Sequence, residues 1–467
     1  MAPRSGGAQL HRRCARRRSS SRYRAVSRRR RYRALRGAGR RAFGVIAGSQ
    51  AARPGEVRVL LLLLLAYIFN FLDRQIVSIL AIPIKADLGL SDTQLGLLGG
   101  IAFASVYSTL AIPIARYADR TGRSRVVAGA VFVWSAFTAL CGLATNFLTL
   151  FLARMGVGVG EAGGVAPSYA LIAEHVPPQR RARALAIFSL GIPIGSALGL
   201  FFGAWLAQTF DWRLAFIVIG LGGLPVAMLI YALVPERPEA APAVPQAADA
   251  PPFLVTLALL ARKPSFWLLA FGAASASICG YGFAFWLPRF LNATLGLSLT
   301  DIGAYFGSIV LVGGSIGIYG GAWFADRLGA SRVGAFAAVP GVAFLLSAPL
   351  FAAALYSPSL SVGWVLFTIP YALSLTWLGP IVNAVQQLVA PPFRATASAC
   401  FLLINNLIGI GFGTFIFGFL SDYLQPTYGA EALRTALLFG LGFYFLAALL
   451  CGLAALRLGR DTESLAI

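Results

Sequence analysis

Asp73 and Arg74 stand side by side in NFLDRQ, inside a run that is otherwise apolar: VRVLLLLLLAYIF precedes it and IVSILAIPI follows it. A charged side chain at the centre of a bilayer costs roughly 2.5–3.5 kcal/mol on insertion scales, so such residues face a bundle interior or a water-filled cavity. A second apolar run holds Arg154 and Glu161, seven residues apart. That is two helical turns, so both point the same way, about 10 Å apart along the axis. Two acids and two bases can offset one another inside a wet cleft. A carboxyl whose pKa responds to burial and to the distance of an arginine takes up a proton in one conformation and releases it in another. Asp73 and Glu161 are therefore the candidate proton-coupling residues, and Arg74 and Arg154 their charge partners; a static structural ion pair is the plainer alternative.

These residues need membrane-spanning elements to hold them. The 467 residues are 58% hydrophobic and only 12% charged, against roughly 25% charged in a soluble domain. A helix needs about 20 mainly apolar residues to cross the hydrocarbon core. That length gives twelve spans, near 58–82, 93–116, 126–145, 147–171, 183–207, 213–234, 265–290, 301–324, 333–355, 361–388, 397–420 and 432–456. Alternate loops collect arginine: Arg116, Arg120, Arg123 and Arg125; Arg180, Arg181 and Arg183; Arg262 with Lys263; Arg327 with Arg332; and Arg394. The intervening loops carry single basic residues, Lys85, Arg213, Arg289 and Arg434. Because Lys and Arg collect on the cytoplasmic side, both termini are expected there.

The net charge of +22 is concentrated at the start of the chain. Residues 1–53 hold 17 arginines and no acid, leaving +5 for the remainder (22 − 17). Three readings of this stretch compete: a solvated basic tail on an anionic leaflet, a nucleic-acid arm, or an upstream stretch wrongly included in the reading frame. No short apolar core with a small-residue cleavage site precedes the first long run, which argues against a signal peptide. Cys14, Cys141, Cys279, Cys400 and Cys451 are scattered without metal or disulfide spacing and read as small apolar residues. The expected organisation is a basic tail over 1–56, a six-helix bundle over 57–234, a linker over 235–264, a second bundle over 265–457 and a tail over 458–467. Within the linker, FLVTLALLARK before Pro264 suits a short amphipathic helix on the inner surface.

The two halves repeat. Residues 88–125 laid over 295–332, a shift of 207, share 15 identities in 38 positions without a gap. LGLS (88–91) returns as LGLS (295–298), and ARYADRTGRSR (115–125) as AWFADRLGASR (322–332). A shift of 213 pairs Pro167 with Pro380, Pro178 with Pro391, Arg181 with Arg394, Ala184 with Ala397 and Phe188 with Phe401. Parallel repeats about an axis along the membrane normal are a transporter architecture, with the substrate site between the halves near the midplane.

ARYADRTGRSR resembles the loop between helices two and three of the major facilitator superfamily, and RMGVGVGEAGG (154–164) its helix-four motif. NFLDRQ, the helix-four stretch and FSLGIPIGSALG (188–199) resemble more narrowly the spinster family of sphingolipid and lysolipid transporters and their bacterial relatives. The likeness covers residues 57–457. One departure is that Ala115 and Ala322 stand where the loop commonly begins with Gly, and Ser124 where a second basic residue is common.

The resemblance implies an all-α polytopic fold of two pseudo-symmetric six-helix bundles, in which helices one, four, seven and ten line a central cavity. It also implies a latch at the inner end built from Asp119, Arg120, Arg123, Asp326 and Arg327. Asp119 is well placed to accept hydrogen bonds from a neighbouring helix N-terminus, with Arg120 and Arg123 reaching acids or carbonyls across the two halves. Gly191, Gly195, Gly199 and Gly203 of helix five recur every four residues around Pro193 and Ser196. The resemblance implies that this helix packs on helix eight, whose Gly313, Gly314, Gly317, Gly320 and Gly321 offer a complementary smooth face, as plain packing or as a sliding contact.

The second half lacks the charges of the first, since the shift of 207 carries Asp73 and Arg74 onto Gly280 and Tyr281. It offers Phe283, Phe285, Trp286, Tyr319, Tyr371 and Trp377, with Asn383, Asn405 and Asn406 as its notable polar side chains. A cavity charged on one wall and aromatic on the other suits an amphipathic substrate of sphingolipid or lysolipid type. The alternative is a small organic anion such as a sugar acid, clamped by Arg74 and Arg154. No Gly-Lys-[Ser/Thr] follows any glycine run, which opposes an ATP-driven pump. An enzyme would want partners for His175 and Glu174, the candidates beside a helix end, and the sequence offers none. A channel has no need of duplicated latch loops, and a receptor on the same fold would show no substrate flux. The expectation is a monomeric, proton-driven carrier without metal, cofactor or nucleic acid, surrounded by lipid in a bacterial inner membrane.

Overall fold

The computed structural model describes residues 54–236, 253–329, 332–357 and 359–463. The basic segment with His11 and Cys14, most of the Pro/Ala linker, and Ala330 lie outside the described residues. The first six spans are α1 (Pro54–Leu88), α2 (Asp92–Gly99) continued by α3 (Ile101–Thr121), α4 (Arg123–Cys141), α5 (Phe147–Glu161) continued by α6 (Val165–His175), α7 (Pro178–Ser189) continued by α8 (Gly191–Thr209), and α9 (Trp212–Leu233). The short α10 (Phe253–Ala261) precedes the second six. These are α11 (Pro264–Leu295), α12 (Leu299–Gly329), α13 (Ala335–Leu355), α14 (Leu360–Ser374) continued by α15 (Pro380–Gln387), α16 (Arg394–Asn405) joined by a π-helical turn (Asn406–Ile410) to α17 (Gly411–Tyr428), and α18 (Ala432–Gly440) continued by α19 (Gly442–Glu463).

Ten stretches among the described residues are long and apolar enough to cross a membrane. One of these, Pro391–Thr462, spans 72 residues and holds two crossings, and the shorter Leu360–Ser374 supplies the last of the twelve. Several helices outrun their expected limits. The 35 residues of α1 measure about 50 Å at 1.5 Å per residue, against a hydrocarbon core of about 30 Å. Hydropathy marks the part inside lipid, and the helix continues beyond it. Short α10 buries Thr256 and Leu260, one turn apart on a single face.

The LGLS repeat has a local cause. Gly89 and Gly296 take φ of +62° and +65°, a left-handed conformation that ends the preceding helix at little cost only for glycine. The following serines then start the next helix. Ser91 accepts from the Gln94 N–H at 3.1 Å while Gln94 Oε1 accepts from the Ser91 N–H at 3.0 Å, and Ser298 accepts from the Asp301 N–H at 3.2 Å. One stop-and-start turn is thus used twice, at the end of the bundle opposite the arginine-rich loops. These ends are called here the far end and the basic end.

α8 packs on α12 as the resemblance implied, but its four-residue glycine face meets a different partner. A Cβ on Gly195 would lie 2.3 Å from the Ile68 carbonyl oxygen and one on Gly199 2.6 Å from that of Leu72, while Gly191 abuts Tyr67 and Gly203 abuts Ile76. All four seat α1. The contact between α8 and α12 is made by the other face of α8, with Pro193 against Gly314, Ala197 against Gly307 and Leu200 against Gly303. Gly313, Gly317 and Gly321 of α12 turn away, toward Thr368, Ala372 and Thr376 of the α14 span. A four-residue glycine period shows a smooth face but not which neighbour fills it.

Candidate functional site

Glu161 ends α5, at a break over residues 162–164 before α6 resumes the span. The motif around it is a clamp. A Cβ on Gly156 would strike the Phe137 ring, one on Gly160 the Trp134 backbone nitrogen at 2.4 Å, and one on Gly158 the Phe103 carbonyl oxygen at 2.8 Å. Glycine alone lets α4 and α3 close on α5 from two sides, and this fixes the depth of Glu161. The second half repeats the interruption in register, α14 breaking before Pro380 as α5 breaks before Pro167. Interrupted helices at the midplane are where membrane transport sites are built.

Across from this break, Arg74 Nε lies 2.6 Å from Glu161 Oε2; the carboxylate is fully buried and the guanidinium 14% exposed. Asp73, Arg154 and Asn70 are buried beside them. Glu161 and Arg154 are the charges that act on Asp73. Asp73 Oδ1, Arg74 Nη2, Arg154 Nε, Glu161 Oε1 and both side-chain polar atoms of Asn70 are buried without a well-formed hydrogen bond, with the Thr138 hydroxyl facing Asp73 and the Asn70 amide facing Glu161. Each such atom costs about 1–3 kcal/mol, and several together mark a site kept for something other than stability.

The guanidinium of Arg74 lies 5.2 Å from the ring centre of Phe71, 4.8 Å from that of Phe103 and 4.8 Å from that of Tyr107, and Arg154 lies 5.8 Å from Phe103. Tyr67 stacks on Phe188 at 4.2 Å and meets Phe71 edge-on at 5.1 Å, and Tyr169 adds its edge to Phe188. The aromatic groups therefore surround the charges on the same half. This corrects the expectation of a charged wall facing an aromatic one.

Among the residues expected on the opposite wall, Tyr281 is one of the groups acting on Arg74, and Gln75 bonds the Ala284 carbonyl at 3.1 Å across the halves. Tyr371 interacts in turn with Tyr281, and the others pack elsewhere. Phe285 fills the space over Gly99 beside Trp286, whose indole N–H donates to the Thr414 carbonyl at 2.8 Å. Trp377 is buried edge-on against Phe401, Phe283 against Phe351 and Phe417, and Tyr371 against Phe306. Asn405 accepts from Ser277 at 2.9 Å and reaches Asn406 at 3.4 Å, and Asn383 accepts from Gln387 at 3.2 Å. Exposed Tyr319 donates to the Ala186 carbonyl at 2.7 Å.

A second charged cluster, which sequence reasoning missed, joins the halves at the far end. Asp422 of α17 caps α2: it accepts from the Asp92 N–H at 3.1 Å, the Thr93 N–H at 2.7 Å and the Thr93 hydroxyl at 2.6 Å. Buried Asp92 in turn accepts from Lys85 at 2.5 Å and Ser421 at 2.8 Å, and pairs with Arg289 of α11. Thr414 donates to the Gly96 carbonyl at 2.7 Å, and a Cβ on Gly96 or Gly100 would collide with α17 or the π turn before it. The far end is closed. Lone basic residues in charge-poor loops, Lys85 and Arg289, were its one visible sign.

The Major Facilitator Superfamily profile matches residues 63–414. The chain belongs to the major facilitator superfamily. It is 37% identical over 401 residues to an MFS-type efflux pump of Mycolicibacterium smegmatis, covering 84% of this chain and 91% of that protein. It is 30% identical over 396 residues to protein spinster homolog 1 of Mus musculus, covering 79% and 74%, and 30% identical over 275 residues to a hexuronate transporter of Bacillus subtilis, covering 58% and 64%. Among solved structures, a bacterial homolog of the human lysosomal transporter Spinster, inward-facing and unoccupied, superposes with a TM-score of 0.79 at 28% identity, covering 88% of this chain and 99% of that one. This major facilitator chain is a multi-pass membrane transporter with spinster-type relatives, and not an enzyme.

The superfamily loop at the basic end departs from the expected pairing. Asp119 accepts from Arg123 Nη2 at 2.6 Å and Nε at 3.0 Å, and does so through that side chain and not through a helix N-terminus. Arg123 also pairs with Glu174, so Glu174 does have a partner, and the arginine stays within its own half. His175 is buried, its Nδ1 3.0 Å from the Leu171 carbonyl. The start of α4 is instead bonded by Glu236, which accepts from the Arg125 N–H at 3.0 Å, and Ser124 donates to the Val234 carbonyl at 2.8 Å. Asp119, Arg120, Asp326 and Arg327 are all exposed, and Arg327 lies over the Trp323 ring at 5.5 Å.

Proposed function

We propose that this transporter carries an amphipathic, lipid-like anion by alternating access, driven by protons that bind at Glu161 and Asp73. The two halves, 57–234 and 265–457, rock about the central site as a monomer, with the basic end in the cytoplasm of a bacterial inner membrane. The observation that carries the reading is the buried Arg74–Glu161 pair beside an unbonded Asp73 oxygen and Arg154. When Glu161 takes a proton, its hold on Arg74 weakens, and the guanidinium becomes free for an anionic head group. Phe71, Phe103 and Tyr107 already surround that guanidinium and suit the first methylenes of a chain. Closure at the far end and exposure of the loop carboxylates at the basic end fit an inward-open state, in which the latch of Asp119, Arg120, Asp326 and Arg327 between the halves is unmade.

A small organic anion such as a sugar acid is the second reading. It is favoured by the convergence of Arg74 and Arg154 on Phe103 and by the likeness to the hexuronate transporter. Proteoliposomes with an imposed pH gradient, offered a lysophospholipid and glucuronate in parallel, separate the two. Concentrative movement of the lysophospholipid that is lost in Arg74→Gln supports the first reading, and glucuronate movement alone overturns it in favour of the second.

A further inference from the structure

A cavity of about 500 Å³ lies at the far end between α1 and α11, within the roughly 300–1,000 Å³ of small-molecule sites. Its walls are apolar at Ile82, Ala86, Leu90 and Ala293, and cationic at Lys85 and Arg289. The cations come from opposite halves and meet on one oxygen, Asp92 Oδ1, which is 2.5 Å from Lys85 Nζ and paired with Arg289. The other carboxylate here, Asp422, acts on both cations through space, while its hydrogen bonds go to two backbone N–H groups and a hydroxyl. The ammonium and the guanidinium are thus paired directly with a single carboxylate oxygen. Lys85 is 32% and Arg289 20% exposed, so part of each remains open to a ligand. A guanidinium beside an ammonium is the donor set that recognises phosphate or carboxylate.

We propose that Lys85 and Arg289 form a second anion subsite, for the phosphate or carboxylate head of a single-chain amphiphile. Asp92 is its internal occupant, which the head group displaces while the halves still meet at the far end. The chain of such a ligand lies along Ile82, Ala86, Leu90 and Ala293. The inference rests on the amphipathic reading of the central site, and the variants below keep the two separable. Displacing Asp92 frees α2 from α11, and the head group takes its place as the bridge between Lys85 of one half and Arg289 of the other.

The test uses the full chain in detergent with monododecyl phosphate as probe, inorganic phosphate as comparison, and Arg74→Gln as the background that disables the central site. In that background the probe is expected to bind at least tenfold more tightly than inorganic phosphate. Adding Arg289→Gln or Lys85→Gln weakens it tenfold or more, Arg289→Lys restores part of the loss, and Asp92→Asn, which removes the competitor, tightens it about tenfold. Asp92→Ser, which keeps a polar group at the helix start but no charge, moves affinity the same way and serves if Asp92→Asn folds poorly. Unchanged or weaker binding in both competitor variants, indifference to both cations, or equal affinity for inorganic phosphate overturns the subsite. If Arg74→Gln binds and transports like wild type, the central reading fails while the response to Asp92 still decides this one. In phosphatidylcholine nanodiscs, displacement of the probe by added phosphatidylglycerol assigns the subsite to membrane lipid, and its persistence assigns it to a transported amphiphile; the anion site stands in either case.

Discussion

Replacing Gly195 by alanine should disturb the charged centre through the helix that carries it. The new Cβ would lie 2.3 Å from the Ile68 carbonyl oxygen, where ordinary contact begins near 3.4 Å, so α8 and α1 must separate by about 1 Å (3.4 − 2.3 = 1.1). The atom struck is backbone and cannot swing aside. Overpacking of this kind typically costs about 1–3 kcal/mol. Asn70, Asp73 and Arg74 follow Ile68 within two turns of α1, and misplacing a working group by about 1 Å can cost about a hundredfold in rate. Gly203→Ala meets Cγ1 of the Ile76 side chain at 2.8 Å, which can yield more than backbone can, and Gly320→Ala meets nothing within 4 Å. Heating in detergent followed by size-exclusion chromatography gives an apparent melting midpoint, and pH-gradient-driven uptake in proteoliposomes gives the functional readout. Both should fall furthest for Gly195→Ala, less for Gly203→Ala and not at all for Gly320→Ala. If Gly195→Ala and Gly320→Ala behave alike in both assays, the seating of α1 on the glycine face is refuted.

Three further outcomes are expected. Glu161→Gln and Asp73→Asn, each alone, should abolish concentrative uptake driven by a pH gradient while leaving binding or exchange; accumulation by both variants would remove protons from these two residues. Asp119→Asn should raise labelling of a cysteine placed at the basic end of a Cys-free chain more than Asp326→Asn does, because it removes the latch that Asp119 makes when the basic end closes, and the second loop has Ala330 where the first has Arg123; equal accessibility in Asp119→Asn and wild type would sink the latch. Asp422→Ala removes the cap from α2, a loss of about 0.5–2 kcal/mol, and should shift the population toward a far-end-open state by up to about thirtyfold, read as faster labelling of a far-end cysteine.

Much of the fold was legible because lipid imposes a coarse rule: each crossing needs a long apolar run, and loop arginines report its direction. The duplicated segments were legible for a sharper reason. LGLS and its copy use glycine in a left-handed turn followed by a capping serine, so the residue types are fixed by backbone geometry. That Asp73, Arg74, Arg154 and Glu161 are charge partners was readable from their place in apolar runs, where a charge needs company; that Arg74 is the one to meet Glu161 was not. Two further aspects were not. The aromatic ring of Phe71, Phe103 and Tyr107 around Arg74 lies in segments where phenylalanine and tyrosine are common anyway, so no spacing distinguished cavity from core. The partner of the α8 glycines was hidden too, because smoothness has no address until the neighbouring helices are placed.

The repeat also separates what positions from what reacts. Every feature the halves share is structural: the far-end turns at Gly89 and Gly296, the breaks before Pro167 and Pro380, and the Asp-Arg loops at Asp119 and Asp326. Every feature carrying buried charge is found in one copy. Asp73 and Arg74 shift onto Gly280 and Tyr281, and Asp92 shifts onto Leu299. Two similar bundles can rock against each other only if their contacts at each end make and break in turn, and a symmetric frame supplies equivalent hinges for that motion. A bound proton or head group must favour one state over the other, since a ligand shifts an equilibrium only by its differential affinity for the two states. Placing the charges on one half supplies that difference. The far-end lock obeys the same logic, because Asp92 reaches Arg289, and Asp422 reaches α2, only while the halves meet there. Breaking it must therefore be offset by whatever the central charges gain on closing at the basic end.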